Sequence, residues 1–249
     1  MTEFHREHRQ TGYLSLTDAP CGELLELVSV SGPELAGSLR RVGLYEGDRL
    51  TRLNEEVRYR TVRINGPDGE RVIGGGMAAR VVVHLDDGRE IPLVEMEPDM
   101  SGHIEGVVGG TPLERALEVL GLANDTEVRM VRKLPPMEYI ALVNDVERIR
   151  LTDGMASKIW GEMSGRPTQF ATASHGEVFT VTQLLGGMRA TNELKSRGIK
   201  EGVRLSLEGV APAQEMRMAG NAPLVVVSQS GLRLFLRPMD GARVYVKPV

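Results

Sequence analysis

Apolar and polar residues alternate along Leu25-Glu26-Leu27-Val28-Ser29-Val30, a period of two that predicts a half-buried strand running to a glycine, Gly32. The period then changes. Leu35, Leu39 and Val42 recur at helical spacing, as do Leu113, Leu117 and Leu120, so each set predicts a short helix with one apolar face. Ahead of the second set, Thr111 is the expected N-cap, Pro112 the first helical residue and Glu114 the partner in a capping box. Gly43, Gly121 and Gly198 stand where these helices should stop, since glycine takes a left-handed conformation without a Cβ penalty. The next apolar residue, Leu44, Leu122 or Ile199, is placed to fold back under the helix. Polar turns and further short strands follow, with turn chemistry at Pro67-Asp68-Gly69 and a hairpin tip at Asp87-Gly88.

This grammar occurs three times. A shift of 78 positions brings Pro20 onto Pro98, Gly32 onto Gly110, Leu39 onto Leu117, Gly76-Met77-Ala78 onto Gly154-Met155-Ala156 and Arg80 onto Lys158. A shift of 77 carries Gly110 onto Gly187 and Gly121-Leu122 onto Gly198-Ile199. The chain reads as a tandem triplication: a flexible tail over 1–12, then units over 13–88, 89–165 and 166–249, with a hinge at Gly165-Arg166-Pro167. Short strands, one short helix per unit and no βαβ alternation predict a mainly β protein of three small antiparallel barrels. Units this small bury little core alone, which favours shared faces between them.

Composition narrows the function. The 249 residues include only ten aromatics (four Phe, five Tyr, one Trp), so the cores must be aliphatic. A net charge of −4 argues against a dedicated nucleic-acid binder, which needs positive excess to neutralise phosphates. One cysteine, Cys21, excludes an intrachain disulfide and a Cys-x-x-Cys zinc site. The charged start Met1-Thr2-Glu3-Phe4-His5-Arg6-Glu7 and the lack of a long apolar run predict a soluble, cytoplasmic protein.

Catalytic motifs are missing: there is no Gly-x-Ser-x-Gly elbow, no His-Glu-x-x-His pair and no phosphate loop, and the chain is expected not to be an enzyme. Gly74-Gly75-Gly76 lacks the lysine of a phosphate loop and reads as flexible backbone. Of five histidines, His5 and His8 fall in the tail, and His84 and His175 stand without a ligand pattern. His103, with Asp99 and Glu105 close in sequence, is the candidate metal site, because divalent iron takes imidazole and carboxylate donors. Arg40 and Arg41 face outward from a helix whose Leu39 and Val42 face in, and form the candidate partner surface. Arg58 and Arg60, flanking Tyr59 and sharing one strand face, read first as a solvated edge and second as a local nucleic-acid contact, and they join Arg40 and Arg41 as candidate partner-binding residues.

Several of these stretches resemble the FeoA family: Leu14-Ser15-Leu16 with Gly22, Leu39-Arg40-Arg41-Val42-Gly43-Leu44-Tyr45-Glu46-Gly47, and Leu117-Glu118-Val119-Leu120-Gly121-Leu122. The third unit is similar in Gly231-Leu232-Arg233-Leu234-Phe235-Leu236-Arg237 and Ala242-Arg243-Val244-Tyr245-Val246. The resemblance implies SH3-like barrels and a non-catalytic accessory in ferrous iron uptake. Its implied partner is a membrane ferrous iron transporter with a cytosolic GTPase domain, and its implied ligand a transient Fe(II) or other divalent metal. The alternative it implies is a divalent-metal-binding regulatory protein, related to the C-terminal domain of metal-dependent repressors but without their DNA-binding half.

Overall fold

A computed structural model describes residues 12–57, 59–213 and 222–249. His5, His8 and Arg58 lie outside the described residues, as does the expected tail apart from Gly12. The first unit supplies β1 (Leu14–Ser15), β2 (Leu24–Val30), helix α1 (Pro33–Arg41), β3 (Arg49–Leu53), β4 (Val62–Gly66), β5 (Gly69–Ile73), the one-turn helix α2 (Gly75–Ala78) and β6 (Val81–Leu85). The second supplies β7 (Glu90–Pro92), β8 (Ser101–Val107), α3 (Thr111–Val119), β9 (Glu127–Lys133), β10 (Met137–Val143), β11 (Glu147–Thr152), α4 (Asp153–Ala156) and β12 (Ile159–Met163). The third supplies β13 (Arg166–Gln169), β14 (Val178–Leu184), α5 (Met188–Ser196), β15 (Arg204–Pro212), β16 (Leu224–Ser228), β17 (Arg233–Leu236), α6 (Pro238–Gly241) and β18 (Val244–Pro248).

The protein is mainly β, as its patterning predicts, with three six-stranded antiparallel sheets. These sheets are out of phase with the sequence repeats over 13–88, 89–165 and 166–249. The middle sheet runs β5-β4-β9-β8-β6-β7, the third β11-β10-β15-β14-β12-β13, and the first β1-β18-β2-β3-β16-β17. The back half of each unit thus pairs with the front half of the next, and the last unit closes the ring onto the first. One cause is visible between β9 and β10. Leu134-Pro135-Pro136 fixes φ near −65° twice and disfavours the tight reversal a hairpin needs, so the chain runs on into the next sheet.

Each sheet wraps one aliphatic core, and the cores interlock. Leu185 of the third unit packs in the middle core, Val72 of β5 in the third, and Val82 and Val108 in the first. Gln169 is a polar clamp between two of them: its Oε1 accepts from the Val72 amide at 2.9 Å, while its Nε2 donates to the carbonyls of Val72 and Ser157, both at 2.9 Å. The pseudo-threefold relation shows in equivalent backbone bonds. The amides of Ser31, Val108 and Leu185 donate to the carbonyls of Arg243, Arg80 and Lys158 at 2.7, 2.8 and 2.7 Å.

The helix stops form as expected. Gly43, Gly121 and Gly198 have φ of +78°, +73° and +76°. The amides of Leu44, Leu122 and Ile199 donate back to Leu39, Leu117 and Leu194, and all three side chains are buried. Four sequence expectations are corrected. The cap of α3 is Gly110, with Thr111 already helical and Glu114 bonded to Arg41 instead of closing a capping box. Gly165-Arg166-Pro167 is no hinge: Met163 pairs with Arg166, so Ser164 and Gly165 form a hairpin tip. Gly74-Gly75-Gly76 caps and opens α2, where a Cβ on Gly75 would stand 2.7 Å from the Tyr59 backbone; close approach, not looseness, requires the glycine. Finally, each unit carries a second, one-turn helix besides the expected one.

Gly161 in β12 meets the same constraint without any unusual φ. A Cβ there would overlap the Phe179 ring and the Thr180 carbonyl. Gly161→Ala should therefore destabilise the third domain by about 1–3 kcal/mol through overpacking, read as a lower urea midpoint at unchanged m-value. Among the described residues, no helix is long and apolar enough to cross a membrane.

Candidate metal centre

In the middle sheet, β6 and β8 run antiparallel with His84 opposite His103. Val83 and Ile104, the next pair, point into the core, so both imidazoles stand on the outer face. The ladder then slips, since Val82 pairs with Gly106 while Val83 pairs with Ile104. Glu105 is the extra residue of this β-bulge, and the bulge turns its carboxylate towards the two rings.

The three side chains form a compact donor set. His103 Nε2 lies 3.5 Å and His84 Nδ1 3.7 Å from the same Glu105 oxygen, and the ring centroids are 5.0 Å apart. Two donors bound to one ion at about 2.1 Å and at tetrahedral angles stand about 3.4 Å apart, so only a small adjustment is needed to close on a cation. Two imidazoles and one carboxylate suit a divalent first-row ion such as Fe(II) and leave further coordination positions open. Glu90 on β7 and Glu127 on β9 extend the row, opposite His84 and His103 respectively, and add negative charge around the set. All three donors are part-exposed, with His103 at 41%.

The same place recurs in the other two sheets with different chemistry. In the third sheet it holds Glu162 paired with Thr180, and Thr182 at the bulge. In the first it holds Lys247 and Glu26, an ion pair at 2.8 Å, with Val28 at the bulge. The bulged strand pair is thus a repeated scaffold, and one copy in three carries a set of side chains that could ligate a metal.

Of the residues read from the sequence, His103 and Glu105 come together. Asp99 does not join them: its carboxylate accepts from Arg129 at 2.7 Å and is 82% exposed. His84 takes its place, which no spacing rule indicates, because it arrives from a strand nineteen positions earlier by register alone. Cobalt(II) titration followed by its visible spectrum should show one saturable site. His84→Ala should weaken that site at least tenfold, whereas His175→Ala, at an exposed position in another sheet, should leave it unchanged.

The candidate contact residues divide differently. Arg40 is exposed at the last turn of α1. Arg41, beside it, bonds Glu114 of α3 at 2.7 Å and so helps to seat one helix on the other. Arg60 is exposed, and the described residues from Asn54 to Arg60 form no strand, so the expected shared face with Arg58 has no strand to carry it. Tyr59 is turned inward with its ring edge-on to Phe235 at 5.7 Å, and burial pushes its phenol above the ordinary range. The end of α1 also comes close to the strand that carries the candidate ligands: a Cβ on Gly106, next to Glu105, would stand 3.0 Å from Val42.

Residues 91–163 match the FeoA domain. That segment runs from within β7 through β12, taking strands from two of the three sheets, and contains His103 and Glu105 but not His84. No curated protein and no solved structure matches the chain.

Proposed function

We propose that the chain is a non-catalytic accessory in ferrous iron uptake that docks on the cytosolic part of a membrane ferrous iron transporter. The observation that carries this reading is the FeoA match over 91–163, in a chain whose other two units repeat the same strand, helix and turn order. The end of α1 is the proposed contact. Arg40 extends from it into solvent, and α3 braces it from behind through the Glu114–Arg41 pair. An acidic patch on the partner would complement it.

Affinity capture from detergent-solubilised host membranes, with ferrous iron and guanine nucleotide present, tests this directly. The transporter should be enriched, and Arg40→Glu should cut the retained amount severalfold, because charge reversal at a docking rim opposes encounter. Capture that never enriches a transporter at micromolar protein would overturn the proposal.

The His84–His103–Glu105 set favours a second reading, a divalent-metal-binding regulatory protein. The strand that carries the candidate ligands comes close to the end of α1, so metal occupancy and docking would act on neighbouring surfaces. If calorimetric titration with Fe(II) under anaerobic conditions shows no saturable binding, this second reading fails and the docking proposal stands alone.

A further inference from the structure

Where the three domains meet, a cavity of about 250 Å³ opens among the first turns of the long helices. That is about eight times the roughly 30 Å³ a water molecule occupies in the liquid. Arg80, Lys158 and Arg243 line it, one from each domain, and they hold equivalent places: their carbonyls accept the three equivalent backbone bonds just ahead of α3, α5 and α1. The positions near these cations vary freely between domains, as His84, Glu162 and Lys247 do, yet all three axial places carry a positive charge.

The remaining charged lining does not cancel them. Asp240 is buried, but both its oxygens are taken by Arg237, at 2.6 and 2.9 Å. Glu34 lies 3.7 Å from where a Cβ on Gly110 would stand, at the start of α3. The lining therefore holds four cations against two carboxylates. The Arg80 guanidinium lies across Gly109, which has no side chain to obstruct it, and Arg243 lies across Gly32 in the same manner. Arg80 uses its Nε on the Gly76 carbonyl at 2.9 Å, and its terminal nitrogens have no hydrogen-bond partner among the described residues. Neither has the Lys158 ammonium. None of the three long helices has a side-chain cap, so their first-turn amides add partial positive charge to the same space.

We infer that this axial cavity binds a small oxyanion, of the phosphate or carboxylate class, through Arg80, Lys158 and Arg243. Like charges brought together are costly where burial limits their hydration, as it does for Arg80 and Lys158, unless something opposes them. That cost is visible here: burial, then the charge of Arg237, pulls Arg80 down to about 10, and burial followed by Arg80 lowers Lys158. An oxyanion would accept from all three domains at once and so tie the ring together at its centre. The cavity shares no lining residue with His84, His103 and Glu105, and neither site depends on the other.

Calorimetric titration of the full metal-free chain with inorganic phosphate and, separately, with citrate, at constant ionic strength, tests it and distinguishes the two anion sources. At least one should bind saturably with a stoichiometry of one per chain and raise the melting temperature. Lys158→Met should weaken that binding at least tenfold and abolish the anion-dependent rise, while melting no lower than the wild type in anion-free buffer. Arg243→Gln, at an exposed position, should weaken binding severalfold without touching the fold. Absence of saturable binding by either anion overturns the inference, and so does binding that both variants leave unchanged.

Discussion

A chain ending after residue 213 is expected to lose its first β-domain while its second and third stay folded. Removing β16, β17 and β18 takes three of the six strands from the first sheet, and β1 with them, because β1 pairs only with β18. Seven of the eighteen buried residues of that core go too, among them Leu224, Leu234 and Val246. What remains is β2 beside β3, and a two-stranded pair is at best marginal in water. Amide exchange should rise to near-unfolded rates across 24–53 and stay protected across 62–133 and 137–212. Were each sequence repeat a self-contained barrel, the damage would instead fall on 166–213 and spare 24–53. Adding residues 222–249 as a separate peptide should restore protection to 24–53, since the missing strands need not be covalently attached to pair.

The second large effect concerns one side chain. Gln169→Leu is expected to destabilise the protein by about 3–5 kcal/mol, because three buried backbone groups lose their partners at once and each orphan costs about 1–3 kcal/mol. Gln169 is 1% exposed, and Val72 and Ser157, whose backbone it satisfies, are equally buried. The leucine is similar in size, so the loss reports the hydrogen bonds more than the volume. Val72 sits on β5, the edge strand of the middle sheet, whereas Gln169 ends β13 of the third. The variant should therefore speed exchange at β5 as well as lower the urea midpoint, a combination that a defect confined to one sheet would not produce.

Much of the local structure was legible in the sequence. The apolar faces of α1 and α3, the left-handed stops at Gly43, Gly121 and Gly198, and the hairpin turns near Gly69 and Gly88 follow from residue chemistry within a few positions, and each is found. The strand exchange was not legible. Alternation says which face of β9 is buried but not whether β10 or β4 lies beside it. The same blindness hid one of the three candidate metal donors. His103 and Glu105 are two positions apart and could be paired by eye, while His84 reaches them only through the register of β6 on β8. Asp99 looked equivalent by proximity, but its left-handed backbone, at φ 70°, and its bond to Arg129 hold it elsewhere. Gln169 gives no signal at all in a sequence, since a glutamine is ordinarily a surface residue.

The closed ring of strands also sets a timetable. As the chain leaves the ribosome, the middle sheet is complete once β9 has appeared and the third once β15 has, so both can form in order of synthesis. The first sheet cannot. Its β2 and β3 emerge early and must wait for β16, about 170 residues later. At typical elongation rates that interval is on the order of ten to thirty seconds. Throughout it Leu25, Leu27, Leu39 and Leu50 have no finished core to enter. The oldest part of the nascent protein is thus the last to become native, and its apolar residues wait longest for a core.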